Sequence, residues 1–205
     1  VTFGNPAKSA LSLPSIFDLC QWLVGAPACH RRFIEDFVQP LPGERLVDLG
    51  CGTGASLRQL PEGISYLGLD LNPHYIQAAR AQFGERATFV CSDLVTADLS
   101  EFPPFDLAIS VGVLHHLSDA QAQAVLQLAR RIVRPGGRFV SMDPCYVQGQ
   151  HPIAKFLLDH DRGNHIRNAE HYRRLLSPQG TLETRVFSDM LRIPYTTIVA
   201  TLRFD

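Results

Sequence analysis

The sequence predicts an α/β protein: a doubly wound, mostly parallel sheet of seven strands, with an antiparallel strand pair at the C-terminus and a helical cap at the N-terminus. Three observations carry that prediction. Short apolar runs bounded by turn residues alternate with helical patterns between residues 45 and 142, and such alternation gives parallel strands with helices on both faces. The first run, Arg45 to Leu49, leads into Gly50-Cys51-Gly52-Thr53-Gly54, a glycine-rich turn expected to open a helix and to let backbone approach a bound group closely. The last two runs, near Thr181 to Phe187 and Tyr195 to Phe204, follow one another without a helix between them and read as an antiparallel pair.

Taken in order, residues 1 to 13 have little periodicity. From Pro14 the pattern is helical, with Ile16, Leu19, Cys20 and Leu23 at helix spacing. A second helix is expected from about Ala28 to Val38, ended by Pro40 and Pro42. Residues 1–40 thus read as a cap ahead of the main unit, 41–205. Strands follow at Ile64 to Leu69, ending in Asp70, at Thr88 to Cys91, ending at Ser92-Asp93, and at Phe105 to Val111. The first of these precedes a helix around His74 to Gln82. Ala122, Val125, Leu126 and Ala129 lie at i, i+3, i+4 and i+7 behind Ser118, a capped amphipathic helix. Pro135-Gly136-Gly137 turns the chain into a strand at Arg138 to Met142. A lid-like insertion at about 144–168 breaks the rhythm before a helix near Ala169 to Leu176; it is rich in histidine and arginine.

The chain has 205 residues, 45% of them hydrophobic, and a formal net charge of -1. That suits one globular unit with an appended cap and disfavours a general nucleic-acid binder. Lys8 and Lys155 are the only lysines, which leaves lysine-based covalent chemistry few candidates. Five scattered cysteines without CxxC spacing support neither a disulfide framework nor a zinc site. No run approaches the roughly 20 apolar residues of a membrane span, and no signal peptide is evident. A cytoplasmic protein is the expectation.

Asp48 is the informative residue. It ends an apolar run, where a carboxylate is costly to bury without partners. Gly50, Gly52 and Ala55 fit one dinucleotide fingerprint with Asp70 about 20 residues on, but Asp48 repels a diphosphate and favours a ligand bearing a cation and hydroxyls. His115 and His116 follow a strand's C-terminal end, where such sheets place ligands, and a histidine there can act as a general base. Asp143 ends the next strand on the same side and is a candidate substrate contact. The histidines show no metal-ligand spacing.

Val47-Asp48-Leu49-Gly50-Cys51-Gly52-Thr53-Gly54, Gly68-Leu69-Asp70 with Asn72-Pro73, Ser92-Asp93-Leu94, Phe105-Asp106-Leu107 through Val113-Leu114-His115-His116-Leu117, and Arg134-Pro135-Gly136-Gly137 together resemble the class I S-adenosylmethionine-dependent methyltransferases. The likeness is to the small-molecule branch labelled methyltransferase type 11, and it covers about residues 41 to 143. The resemblance implies a Rossmann-like fold, S-adenosyl-L-methionine as cofactor and S-adenosyl-L-homocysteine as product. It implies that Asp48, Gly50, Cys51, Gly52 and Gly54 hold the methionine end, that Asp70 takes both ribose hydroxyls, and that Leu71 packs on adenine. Ser92, Asp93 and Leu94 would meet the adenine edge, and Ser110, Val111 and His115 would line the methionine moiety. His115 and Asp143 are the catalytic candidates, Phe17, Gln21 and Trp22 candidates to fold over the cofactor, and Asp161 to Arg167 the candidate acceptor contact. Asp106 and Pro135 to Gly137 read as structural. The expected reaction is methyl transfer to a small molecule, with no nucleic-acid partner, in the manner of bacterial biosynthetic enzymes. A non-catalytic binder of the same cofactor and a nicotinamide-dependent oxidoreductase are the alternatives.

Overall fold

A computed structural model describes residues 22–205. The first expected helix, with Ile16, Leu19 and Cys20, and the residues Phe17 and Gln21 lie outside them. Trp22 and Leu23 are helical and each is 58% exposed. Helix α1 (Ala26–Phe33) passes into a π turn (Ile34–Val38), and Phe33, Ile34 and Val38 bury the apolar side that their spacing promised.

The sheet comprises β1 (Arg45–Leu49), β2 (Ser65–Asp70), β3 (Thr88–Cys91), β4 (Phe105–Val111), β5 (Val133–Tyr146), β6 (Arg167–Asn168), β7 (Thr181–Phe187) and β8 (Thr197–Arg203). Its order is β3-β2-β1-β4-β5-β8-β7, with the two-residue β6 paired beside β5. β1 to β5 are parallel, and β8 is antiparallel to both of its neighbours. The chain moves outward from β1 to β3 and then returns to the other side of β1. The carboxyl ends of β1 and β4 therefore flank a switch point, where open α/β sheets bind their ligands.

Helix α2 (Pro73–Phe83) starts on Asn72, whose side chain accepts from the His74 N–H, and on a proline at its first position. Helix α3 (Asp119–Ile132) starts with a capping box between Ser118 and Gln121. Its residues Ala122, Val125, Leu126 and Ala129 are fully buried against the sheet, each large one contributing about 1.5–3 kcal/mol by burial. Helix α4 (Pro152–Asp159) lies inside the insertion, and α5 (Ala169–Leu176) follows it.

Two expectations are corrected. The glycine turn opens no α-helix: turns lead to a 3₁₀ segment at Leu57–Gln59. Gly52 and Gly54 both have positive φ (55° and 84°), which breaks right-handed winding, and Pro61 removes a donor shortly after. Pro135 to Gly137 lie within β5 rather than ahead of it. They form an irregularity where pairing with β4 jumps from Phe105↔Val133 to Leu107↔Arg138. Asp106 is structural as expected, accepting from the Arg45 N–H (2.7 Å) and from Arg134 Nε (2.6 Å) at the far end of the sheet.

Candidate active site

At the end of β1 the Asp48 side chain is 1% exposed. Its Oδ2 accepts a hydrogen bond from the Tyr66 hydroxyl at 2.7 Å, reaching across from β2, while its buried Oδ1 has no partner. Burial pushes the carboxyl up to about 7; hydrogen bonds from Tyr66 and Ser56 oppose that rise, and the nearby charge of Asp70 adds to it. An orphaned, buried carboxylate oxygen at a strand end is a place for a cation or a donor.

The three glycines divide their work. A Cβ on Gly50 would strike Val113, and one on Gly54 would lie 2.6 Å from the Phe83 ring, so both serve the protein's own packing. A Cβ on Gly52 would meet nothing within 4 Å. Gly52 therefore faces open space, and its N–H donates to Asp70 Oδ2 at 2.9 Å. The Asn72 N–H donates to Asp70 Oδ1 at 2.8 Å. The two backbone donors fix the half-buried carboxylate and leave a further lone pair on each oxygen for a diol. Leu71 beside it is 68% exposed, an apolar face awaiting a flat partner. Cys51 is buried beneath the turn against Gly68.

At the end of β3, Ser92 is half-buried, Leu94 buried, and the exposed Asp93 accepts from the Val95 N–H at 2.9 Å. At the end of β4, Ser110 is fully buried with its hydroxyl unpaired, and Val111 is half-buried. All of the cofactor candidates other than His115 thus lie at the ends of the first four strands or in the loops that follow.

His115 and Asp143 are brought together, but not as a base beside a substrate. His115 is 5% and Asp143 2% exposed. His115 Nδ1–H donates to Asp143 Oδ1 at 3.0 Å, and Nε2 faces Asp161 Oδ1 at 3.3 Å. Burial alone would lower the imidazole's pKa, yet the hydrogen bonds and charges of Asp143 and Asp161 hold it up to about 9. Near neutral pH the ring is a cation with both N–H groups spent. In this arrangement, with Asp143 on Nδ1 and Asp161 at Nε2, the ring carries no free lone pair. Asp143 likewise holds the His115 loop, accepting from its backbone N–H as well (3.2 Å).

Asp161 Oδ1 also accepts from the Gly163 N–H (2.7 Å), and Oδ2 accepts from the Tyr195 hydroxyl (3.1 Å). Against the cost of burial, these contacts and the His115 charge hold the Asp161 carboxyl well below the usual range. Arg167 is 4% exposed and donates to the carbonyls of Leu114, His165 and Leu117 and to Asp119. It bolts the insertion to the His115 loop and has no donor left over for an acceptor. His116 is exposed and stacks on His115 at 4.0 Å between ring centroids.

A cleft of about 850 Å³ opens beside this clasp, between the start of α4 and the segment 186–196. Sequence reading gave no weight to that segment. Its signal was a charged residue, Arg192, set among the apolar Leu191, Ile193 and Pro194, with a tyrosine following.

The switch-point fold, the acid and glycine turn on β1 and the acid on β2 define a nucleoside-binding α/β domain of the methyltransferase kind. Residues 46–137 match the family described as a methyltransferase domain. Over those residues the chain resembles the class I S-adenosylmethionine-dependent methyltransferases. It is 30% identical over 125 residues to 24-methylenesterol C-methyltransferase 2 of Oryza sativa subsp. japonica, covering 58% of this chain and 34% of that protein. It is 37% identical over 101 residues to a demethylmenaquinone methyltransferase of Tropheryma whipplei (strain Twist), covering 48% and 41%. The chain thus spans less than half the length of either relative. The fold resembles that of the N-methyltransferase NodS from Bradyrhizobium japonicum WM9 in complex with S-adenosyl-L-homocysteine. The TM-score is 0.66 at 17% identity, over 85% of each chain.

Proposed function

We propose that the protein methylates a small-molecule acceptor using S-adenosylmethionine. The observation that carries this reading is the buried, unpartnered Asp48 Oδ1 at the end of β1, in the strand that leads into the turn where Gly52 faces open space. A cationic, hydroxyl-rich nucleoside answers that oxygen, whereas a diphosphate is repelled by it. When bound, the cofactor would supply a methyl group already activated by its sulfonium, with S-adenosylhomocysteine as the product. The protein's part is then chiefly positioning. Asp48 and the turn from Gly50 through Cys51 and Gly52 to Gly54 hold the amino-acid end, and Asp70 accepts from the ribose hydroxyls. Leu71, Ser92, Asp93 and Leu94 surround the base, and the backbone at Ser110 and Val111 lines the approach to sulfur. His115 and Asp143 position the insertion rather than move protons.

The relatives named above act on a sterol and on a demethylmenaquinone, and a small-molecule acceptor is the reading that they favour here. No helix of the described residues is long and apolar enough to cross a membrane. Cys29, Cys51, Cys91 and Cys145 are free thiols, which suits a reducing compartment such as the cytoplasm. Calorimetric titration tests the reading. S-adenosylhomocysteine is expected to bind at micromolar concentration with one site per chain; binding of NAD instead of S-adenosylhomocysteine would overturn it.

A further inference from the structure

We infer that the cleft between α4 and residues 186–196 receives the acceptor, and that this acceptor is an elongated, largely apolar molecule carrying an anionic group that meets Arg192. The inference rests on the methyl-transfer reading above and adds a ligand class to it. Val147, Ala154, Val186, Phe187 and Ile193 supply apolar walls, and about 850 Å³ lies within the range of organic-ligand sites. No Asp or Glu lines the cleft.

Arg192 is its strongest cation. The Arg192 stem packs against Gly25, where an added Cβ would lie 2.7 Å from Arg192 Cγ, and its backbone N–H donates to the Val24 carbonyl at 3.0 Å. The guanidinium is thus presented from a fixed stem, and no carboxylate pairs with it among the described residues. A planar, always-charged donor fork of this kind recognises carboxylates, sulfonates or phosphates. His151 lines the same cleft with its Nδ1 accepting from the Ile153 N–H (3.2 Å), which leaves Nε2–H as a second donor.

Placement explains the elongated shape. The donor-binding residues end at β4, while the cleft lies at the ends of β8 and β7. β4 and β8 are two strands apart, or roughly 10 Å. Tyr195 lines the cleft and is tied through Asp161 and His115 to the end of β5, so the wall between the two sites is rigid. A molecule anchored at Arg192 must extend past that wall to offer its nucleophile to the methyl group.

The test is calorimetric titration with 2-naphthoate and with its uncharged counterpart 2-acetonaphthone, each with and without S-adenosylhomocysteine. Naphthoate is expected to bind at least about tenfold more tightly than the ketone. Arg192→Gln is expected to remove that difference while leaving the ketone's affinity in place. Val186→Trp, at a partly exposed strand position, fills the cleft and is expected to weaken both probes with an unchanged melting temperature. Equal affinities for the two probes, naphthoate binding indifferent to Arg192→Gln, or no binding of either probe would each overturn the inference. S-adenosylhomocysteine binding that persists in those cases leaves the methyl-transfer reading standing; its absence overturns that reading instead.

Discussion

Asp48→Asn is expected to make the unliganded protein more stable and the liganded protein weaker. The native carboxyl sits at about 7 against an ordinary value of 3.8, a rise of roughly 3 pH units that corresponds to about 4 kcal/mol between the protonation states. For an acid with a raised folded-state pKa, the folded state binds the proton more tightly. Ionised Asp48 therefore costs stability, and the cost grows as pH climbs from about 4 through 7 and then levels off. Asparagine keeps an acceptor for the Tyr66 hydroxyl without the charge. Local relaxation will reduce the ceiling, so a gain of about 2 kcal/mol at pH 8 is expected, roughly 4–8 °C in melting temperature for a chain of this size. At pH 5 the gain should fall to less than half. Meanwhile the loss of a charge-assisted contact should weaken S-adenosylhomocysteine by roughly 10- to 100-fold. Thermal melts at both pH values and calorimetric titration measure all of this. A variant no more stable than wild type at pH 8, or equally stabilised at both pH values, would refute the assignment of Asp48 as a strained cation receptor.

The clasp loses stability with rising pH in the same direction, but in a higher window. His115 is raised to about 9 from 6.5, so its contribution is full below pH 6.5 and lost as pH rises through 9, about 3 kcal/mol in all; His115→Gln should cost about that much at pH 7 and little at pH 10, read by urea denaturation. Asp70→Asn should weaken S-adenosylhomocysteine about tenfold in calorimetry with little change in melting temperature, because the backbone donors of Gly52 and Asn72 keep an acceptor on one side. Gly54→Ala should destabilise by about 2 kcal/mol or more through its positive φ and its contact with Phe83. Gly52→Ala, with nothing near its Cβ, should lose proportionately more ligand affinity than stability; equal losses in both properties for the two variants would show that Gly52 does not border the ligand.

The donor half of the site was legible because its signals are local. Asp48 and its glycines are contiguous, and Asp70 and Asp93 each end a strand whose apolar pattern can be read without knowing its neighbours. Tyr66 was not legible as the partner of Asp48, since only the parallel register of β1 and β2, Asp48↔Gly68, brings the two side chains together. The clasp was hidden for the same reason: His115, Asp143, Asp161 and Tyr195 come from four separate segments with no shared spacing. Arg167 read as an acceptor contact because it sits in a polar run. Its five donors instead found three loop carbonyls and Asp119, since buried carbonyls need partners wherever a helix or strand does not supply them. The missing helix after Gly54 reflects a contest between local signals, in which left-handed glycines outweighed the apolar pattern that follows them.

The strand order has a practical consequence for altering specificity. Residues assigned to the methyl donor occupy the ends of β1 to β4, and those of the cleft occupy α4 and the segment before β8. A mutant library confined to residues 147–154 and 186–194 would leave every donor contact, and the Tyr195 member of the clasp, in place. On the proposed reading, selection for a new acceptor in such a library need not sacrifice donor affinity, with the His115 clasp serving as the fixed boundary between what is varied and what is kept.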